Sequence, residues 1–133
     1  FEKSKLIGNV YPLKKREFFM SLNIESIRNY CLAKPGVEEG FPFDEETLVF
    51  KVYDKMFLLM GLGEGKTFNV KCDPEKALAL REQYTEVQPG YHMNKKHWNT
   101  VSITGRLTDT QLLSMIDDSY GLIVQSLPKH RRP

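Results

Sequence analysis

The chain holds two cysteines, one tryptophan and three histidines in 133 residues, and no apolar run approaches the length of a membrane span. Two thiols, Cys31 and Cys72, form no disulfide framework. They point to a reducing, cytoplasmic setting and leave at most one bridge open. The missing apolar run predicts no transmembrane helix, and no signal-peptide pattern opens the sequence. Neither a Cys-x-x-Cys pair nor a His-Glu-x-x-His helix occurs, so no metal site is predicted from His92, His97 and Cys72. Acid is absent locally as well: from Val87 to Thr108 there is no Asp or Glu.

What is present describes one ordinary domain. At 41% hydrophobic and 27% charged residues, the chain is long enough to bury a core. The net charge of +2 is unevenly spread: residues 1–19 carry 5 basic and 2 acidic side chains, residues 20–127 carry 11 and 15, and residues 128–133 carry 3 and none. The body is acidic and the ends are basic, so the pI of 8.5 does not by itself argue for a polyanion partner. Residues 1–19, with the cluster Lys14-Lys15-Arg16, read as an appended segment, residues 20–127 as the domain with Met20 as a natural start, and residues 128–133 as a basic tail.

Along the body, Asn23 caps a helix over 24–34 that buries Ile24, Ile27 and Cys31 and ends at Pro35-Gly36. An acidic, proline-containing turn is expected over 38–46, and then Thr47 to Val52 and Met56 to Met60 form a hairpin around Tyr53-Asp54-Lys55. A third strand runs from Thr67 to Cys72. Asp73-Pro74-Glu75 opens a second helix reaching about Tyr84, with a stripe of Ala77, Leu78, Leu80 and Tyr84. A loop follows over 89–97, then a strand from Trp98 to Ile103. Thr108 with Gln111 forms a capping box for a last helix to about Leu127, buried through Leu112, Ile116, Tyr120 and Ile123. The order α-β-β-β-α-β-α predicts an α+β domain with a single, mainly antiparallel sheet and helices packed on one face.

Several of these segments carry a resemblance. Phe41-Pro42-Phe43-Asp44, Thr47 to Val52, Lys71-Cys72-Asp73-Pro74-Glu75, Pro89 to Trp98, and Ser119-Tyr120 with Leu127-Pro128 resemble the MmcQ/YjbR family of small bacterial proteins, in order, from about residue 20 to residue 127. The resemblance implies a compact fold similar to CyaY and frataxin, a double-wing arrangement, and members of that family are commonly labelled DNA-binding. No cofactor is expected.

The functional candidates concentrate in the acid-free loop. For a nucleic-acid partner, Lys95 and Lys96 would meet phosphates, Tyr91, His92 or Trp98 would stack on a base, and Asn94 would hydrogen-bond a base edge or sugar, with Lys71 and His97 nearby. The same residue types also serve a connecting loop, where Trp98 and Met93 anchor it, Asn94 caps backbone groups and the lysines are solvated. The expected function is a non-enzymatic DNA-binding protein using the 91–98 loop. The alternative is a small-molecule or anion-binding domain with a cleft near Cys72 and His92, in which Cys72 would be a nucleophile with a depressed pKa at a helix N-terminus. No residue is assigned a catalytic role, and the sequence leaves the oligomeric state open.

Overall fold

The computed structural model describes residues 22–133. The reading of residues 1–19 as an appended segment, and of Met20 as a start, lies outside the described residues. The elements are α1 (Ile24–Leu32), β1 (Val37–Gly40), β2 (Thr47–Val52), β3 (Lys55–Gly61), β4 (Thr67–Lys71), α2 (Pro74–Gln83), β5 (Val87–Pro89), β6 (Trp98–Ser102) and α3 (Asp109–Ser126), closed by a 3-10 turn at Lys129–Arg131. The strands form one fully antiparallel sheet in the order β1-β2-β3-β4-β6-β5. No helix of the described residues is long and apolar enough to cross a membrane.

The local chemistry explains most boundaries. Asn23 and Ser26 exchange side-chain and backbone hydrogen bonds at the start of α1, and Thr108 and Gln111 do the same for α3. Asp73 caps α2, with Pro74 in its first turn where the missing N–H costs nothing. Two strands depart from the expected order. Val37–Gly40 pairs with β2 where a turn is expected, and Val87–Pro89 pairs with β6 just ahead of the loop. Both are edge strands, which need hydrogen bonds on one side only. Glu38 and Glu39 therefore suit β1, and a proline suits β5. The basic tail is also tied to the body: Arg132 donates to the carbonyls of Leu127 and Gln125, satisfying orphan acceptors at the end of α3.

Pairing register separates the two faces of the sheet. Leu48, Phe50, Val52, Leu58, Met60, Phe68, Val70, Val87 and Val101 join Ile27 and Cys31 of α1 and Leu112, Ile116 and Ile123 of α3 in the core. Tyr120, expected in that core, is only partly buried and packs on it edge-on to Phe57, with ring centroids 5.4 Å apart. Leu78, expected on the buried stripe of α2, is 59% exposed, because Ala77, Leu80, Arg81 and Tyr84 define the inward face and residue 78 lies about 100° away from residue 77. The other face of the sheet carries a row running Val49, Leu59, Asn69, Thr100 and Gln88 across five strands. That face positions the candidate site.

Candidate ligand-binding cleft

Residues 90–97 leave β5 and return to β6 as a loop held by its own backbone. Gly90 N–H donates to the Trp98 carbonyl at 2.8 Å, and the N–H groups of Trp98 and His97 donate to the Asn94 carbonyl at 3.0 and 3.3 Å. Gly90 is required by close approach, since a Cβ there would lie 2.8 Å from Trp98 Cβ and 3.0 Å from the Trp98 carbonyl oxygen. Asn94 Oδ1 accepts from Lys96 N–H, and the Lys95 ammonium donates to the Gly90 carbonyl at 2.9 Å. His92 adopts a left-handed backbone with φ of 59° and sets its ring 4.0 Å from that of Tyr91. A non-glycine residue in that conformation stores about 1 kcal/mol of strain, a cost that folds tolerate most often at binding sites.

A helix holds the far end of this loop. Arg81 of α2 donates through Nε to Asn99 Oδ1 at 2.7 Å and through Nη2 to the carbonyls of Lys95 and Trp98. Asn99, on β6, is 1% exposed. A buried amide oxygen needs a donor, and the planar guanidinium supplies one while also gathering two loop carbonyls.

The second wall comes from residues 41–46, between β1 and β2. Asp44 accepts hydrogen bonds from Glu46 N–H, Thr47 N–H and the Thr47 hydroxyl, closing a tight turn. Those donors, Glu46 N–H foremost, hold its carboxyl below the usual carboxylate range, so the turn keeps its negative charge. Between the two loops, on the face that carries Asn69 and Thr100, lies a cleft of about 790 Å³. Phe43 and Asp44 line one side, Tyr91, His92 and Met93 the other, and Leu59, Thr67, Asn69, Thr100 and Gln88 the floor. Phe43 and Tyr91 are 63% and 69% exposed, large apolar side chains left uncovered at the rim of one concavity.

A model of the YjbR family matches residues 32–122. The chain belongs to the YjbR family. It is 37% identical over 112 residues to the YjbR protein of Escherichia coli K12, covering 84% of this chain and 95% of that one. It is 40% identical over 106 residues to YbdF of Escherichia coli O157:H7, covering 79% and 87%. Among solved structures, the Deinococcus radiodurans protein DR2400, with its DUF419 domain, superposes with a TM-score of 0.79 at 35% identity, over 84% of this chain and 86% of that one. A Pseudomonas syringae protein superposes with a TM-score of 0.65 at 28% identity, over 77% and 99%. None of these four names states a ligand or an activity.

In this YjbR domain the predicted site residues fall into three groups. Tyr91 and His92 line the cleft. Lys71 and Trp98 are register partners one row along from Asn69 and Thr100, on the same face but outside the cleft lining. Asn94 and Lys95 serve the loop itself, while Lys96 is exposed and His97 half-buried with its carbonyl accepting Cys72 N–H. Cys72 does not share the cleft with His92. It is buried beside Lys76 and Asp118, between α2 and α3. Both cysteines are free thiols, and burial pushes the Cys72 thiol up rather than down, away from the depressed pKa that a nucleophile needs. No group of three His, Cys, Asp or Glu among the described residues is placed to hold a metal ion.

The residues that sequence reasoning missed are Arg81, Asn69 and Asn99. Their signal is a polar side chain on a buried or central position: Arg81 lies four residues from the buried Ala77, and both asparagines interrupt strands. One expectation follows for the thiol. In the native protein Cys72 should react with iodoacetamide at pH 7 about tenfold or more slowly than an unfolded control, and its rate should still be climbing with pH past the ordinary thiol value of 9.0, where the control levels off. Equal rates would show an accessible thiolate.

Proposed function

We propose that this YjbR domain is a non-enzymatic binding module whose cleft takes a flat heterocyclic ring between Phe43 and Tyr91, with His92 backing Tyr91. The observation that carries this reading is the pair of exposed aromatics, from two separate loops, facing one 790 Å³ cleft with a polar floor. Aromatic walls hold a ring by stacking, and a polar floor fixes its orientation. A free nucleoside-like molecule and an unstacked base of single-stranded DNA offer the same ring. The DNA-binding expectation thus narrows to one base in the cleft, with the strand leaving past Lys71 and Trp98. The charge distribution supports that narrowing, since no lysine or arginine among the described residues lines the cleft and Asp44, Glu45 and Glu46 stand at one rim. A polyanion laid along the whole face would run into those acids. In this reading the folding unit is residues 20–127, with the tail docked on it, and it works in the reducing cytoplasm.

Titration of the protein with thymidine, with a short oligothymidylate and with a duplex of the same length tests the proposal. The Phe43→Ala/Tyr91→Ala variant should weaken thymidine or oligothymidylate binding by about ten- to a hundredfold, the range for lost base stacking. A strand source shows as affinity that falls steeply with salt, and a free-molecule source as salt-independent thymidine binding. Binding that the double variant leaves unchanged would sink the cleft reading.

A further inference from the structure

We infer that Asn69 selects the ligand, admitting rings that present a hydrogen-bond acceptor, such as a lactam carbonyl, to the cleft floor. The inference rests on the cleft reading above and deepens it. Asn69 lies on β4, a central strand, between Leu59 of β3 and Thr100 of β6. Asparagine is disfavoured at such a position, where β-branched and aromatic residues fit the pleat better. A local rule broken in the middle of a binding face calls for a reason beyond folding.

The hydrogen bonds supply that reason. Tyr91 N–H donates to Thr100 Oγ1 at 2.9 Å, occupying a lone pair of the hydroxyl. The single hydroxyl proton of Thr100 goes to Asn69 Oδ1, and this bond assigns the orientation of the amide. The Asn69 –NH2 group is then turned the other way and has no acceptor among the described residues. Its polar neighbours on the cleft lining direct their own donors elsewhere, Thr47 to Asp44, Thr100 to Asn69 and the Gln88 amide nitrogen to the Thr85 carbonyl, and none of them accepts from Asn69. The Thr67 hydroxyl can rotate to donate or accept, so it discriminates nothing. Asn69 therefore offers fixed donors to whatever lies between Phe43 and Tyr91. The relay through Thr100 couples its orientation to the backbone of the residue that forms the aromatic wall. A ring carbonyl seated there gains a hydrogen bond, while a ring edge carrying only N–H or N–H2 leaves two donors facing each other.

The experiment compares thymidine, which carries ring carbonyls, with indole, a ring with no acceptor, by chemical-shift titration of 15N-labelled protein. In the wild type, thymidine should shift the Asn69 side-chain –NH2 signals while indole shifts the loop 90–93 amides without them. Asn69→Leu, and Asn69→Thr as a better strand former, should weaken thymidine about tenfold, the scale of one lost hydrogen bond, and leave indole within about twofold. If thymidine and indole bind but the Asn69 variants weaken both alike or neither, Asn69 is a structural residue and this inference is overturned while the cleft reading stands. If neither probe shifts the 90–93 amides of the wild type, the cleft reading fails and the selection by Asn69 fails with it.

Discussion

Arg81→Met is expected to lower folding stability by about 2–3 kcal/mol, the scale of stranding a buried polar partner. The loss comes from what remains. The Asn99 amide oxygen, on a residue 1% exposed, and the Lys95 carbonyl lose their donor together, while the Trp98 carbonyl keeps only Gly90 N–H. Urea unfolding should therefore show a lower midpoint, and amide exchange should quicken across residues 94–98. Arg81→Lys should recover less than half of the loss, because a single ammonium cannot reach a side-chain oxygen and two carbonyls in the planar fork that the guanidinium provides. The decisive comparison is Arg81→Met/Asn99→Leu, in which the buried amide is replaced as well. That double variant should be more stable than Arg81→Met alone, since removing both partners of a buried hydrogen bond costs less than orphaning one. A single variant within 0.5 kcal/mol of the wild type would mean that Arg81 is a solvated surface residue and that the loop holds itself.

This network also marks where the sequence stopped being legible. Helix starts were readable because their determinants are local: Asn23, Asp73-Pro74 and Thr108 with Gln111 cap helices from within three residues of the boundary. The β2–β3 hairpin was readable for the same reason, although its turn is the two-residue pair Tyr53-Asp54, both at positive φ, rather than three residues. The edge strands β1 and β5 were not, because their pairing is supplied by a neighbour and their residues alternate weakly. For the site, the concentration of aromatic and basic residues at Tyr91 to Trp98 pointed to the loop that forms one wall of the cleft. Its chemistry was divided differently, however. Tyr91 and His92 face the cleft, while Asn94 and Lys95 spend their hydrogen bonds inside the loop. The opposite wall, Phe43, and the floor residue Asn69 lie 57 and 31 positions from Thr100 in the chain, a separation that no local pattern can bridge.

Ser119→Ala is expected to cost about 2 kcal/mol, more than the loss of one exposed hydroxyl, because this side chain completes the sheet. β3 and β4 pair at Leu58 with Val70, Leu59 with Asn69 and Met60 with Phe68, so the next rung would join Phe57 to Lys71. That rung is broken by the register shift between β2 and β3, which turns the Phe57 ring into the core against Phe50 and Tyr120. Ser119 of α3, fully buried, stands in the gap. Its hydroxyl accepts from Lys71 N–H at 2.8 Å and donates to the Phe57 carbonyl at 2.5 Å. Alanine leaves both backbone groups without the partner that the hydroxyl supplied. Ser119→Thr, which keeps the hydroxyl but adds a methyl group to a filled core, should cost less than Ser119→Val, which adds a similar volume and removes the hydroxyl. The order Ser, Thr, Val in thermal unfolding separates hydrogen bonding from packing. Equal losses for Thr and Val would show that volume alone governs the site. The Lys71 amide should also exchange faster in Ser119→Ala while Val70, paired on the unbroken part of the ladder, keeps its protection. Uniform loss of protection along β4 would instead mean that Ser119 acts on the whole sheet and not on this one interrupted rung.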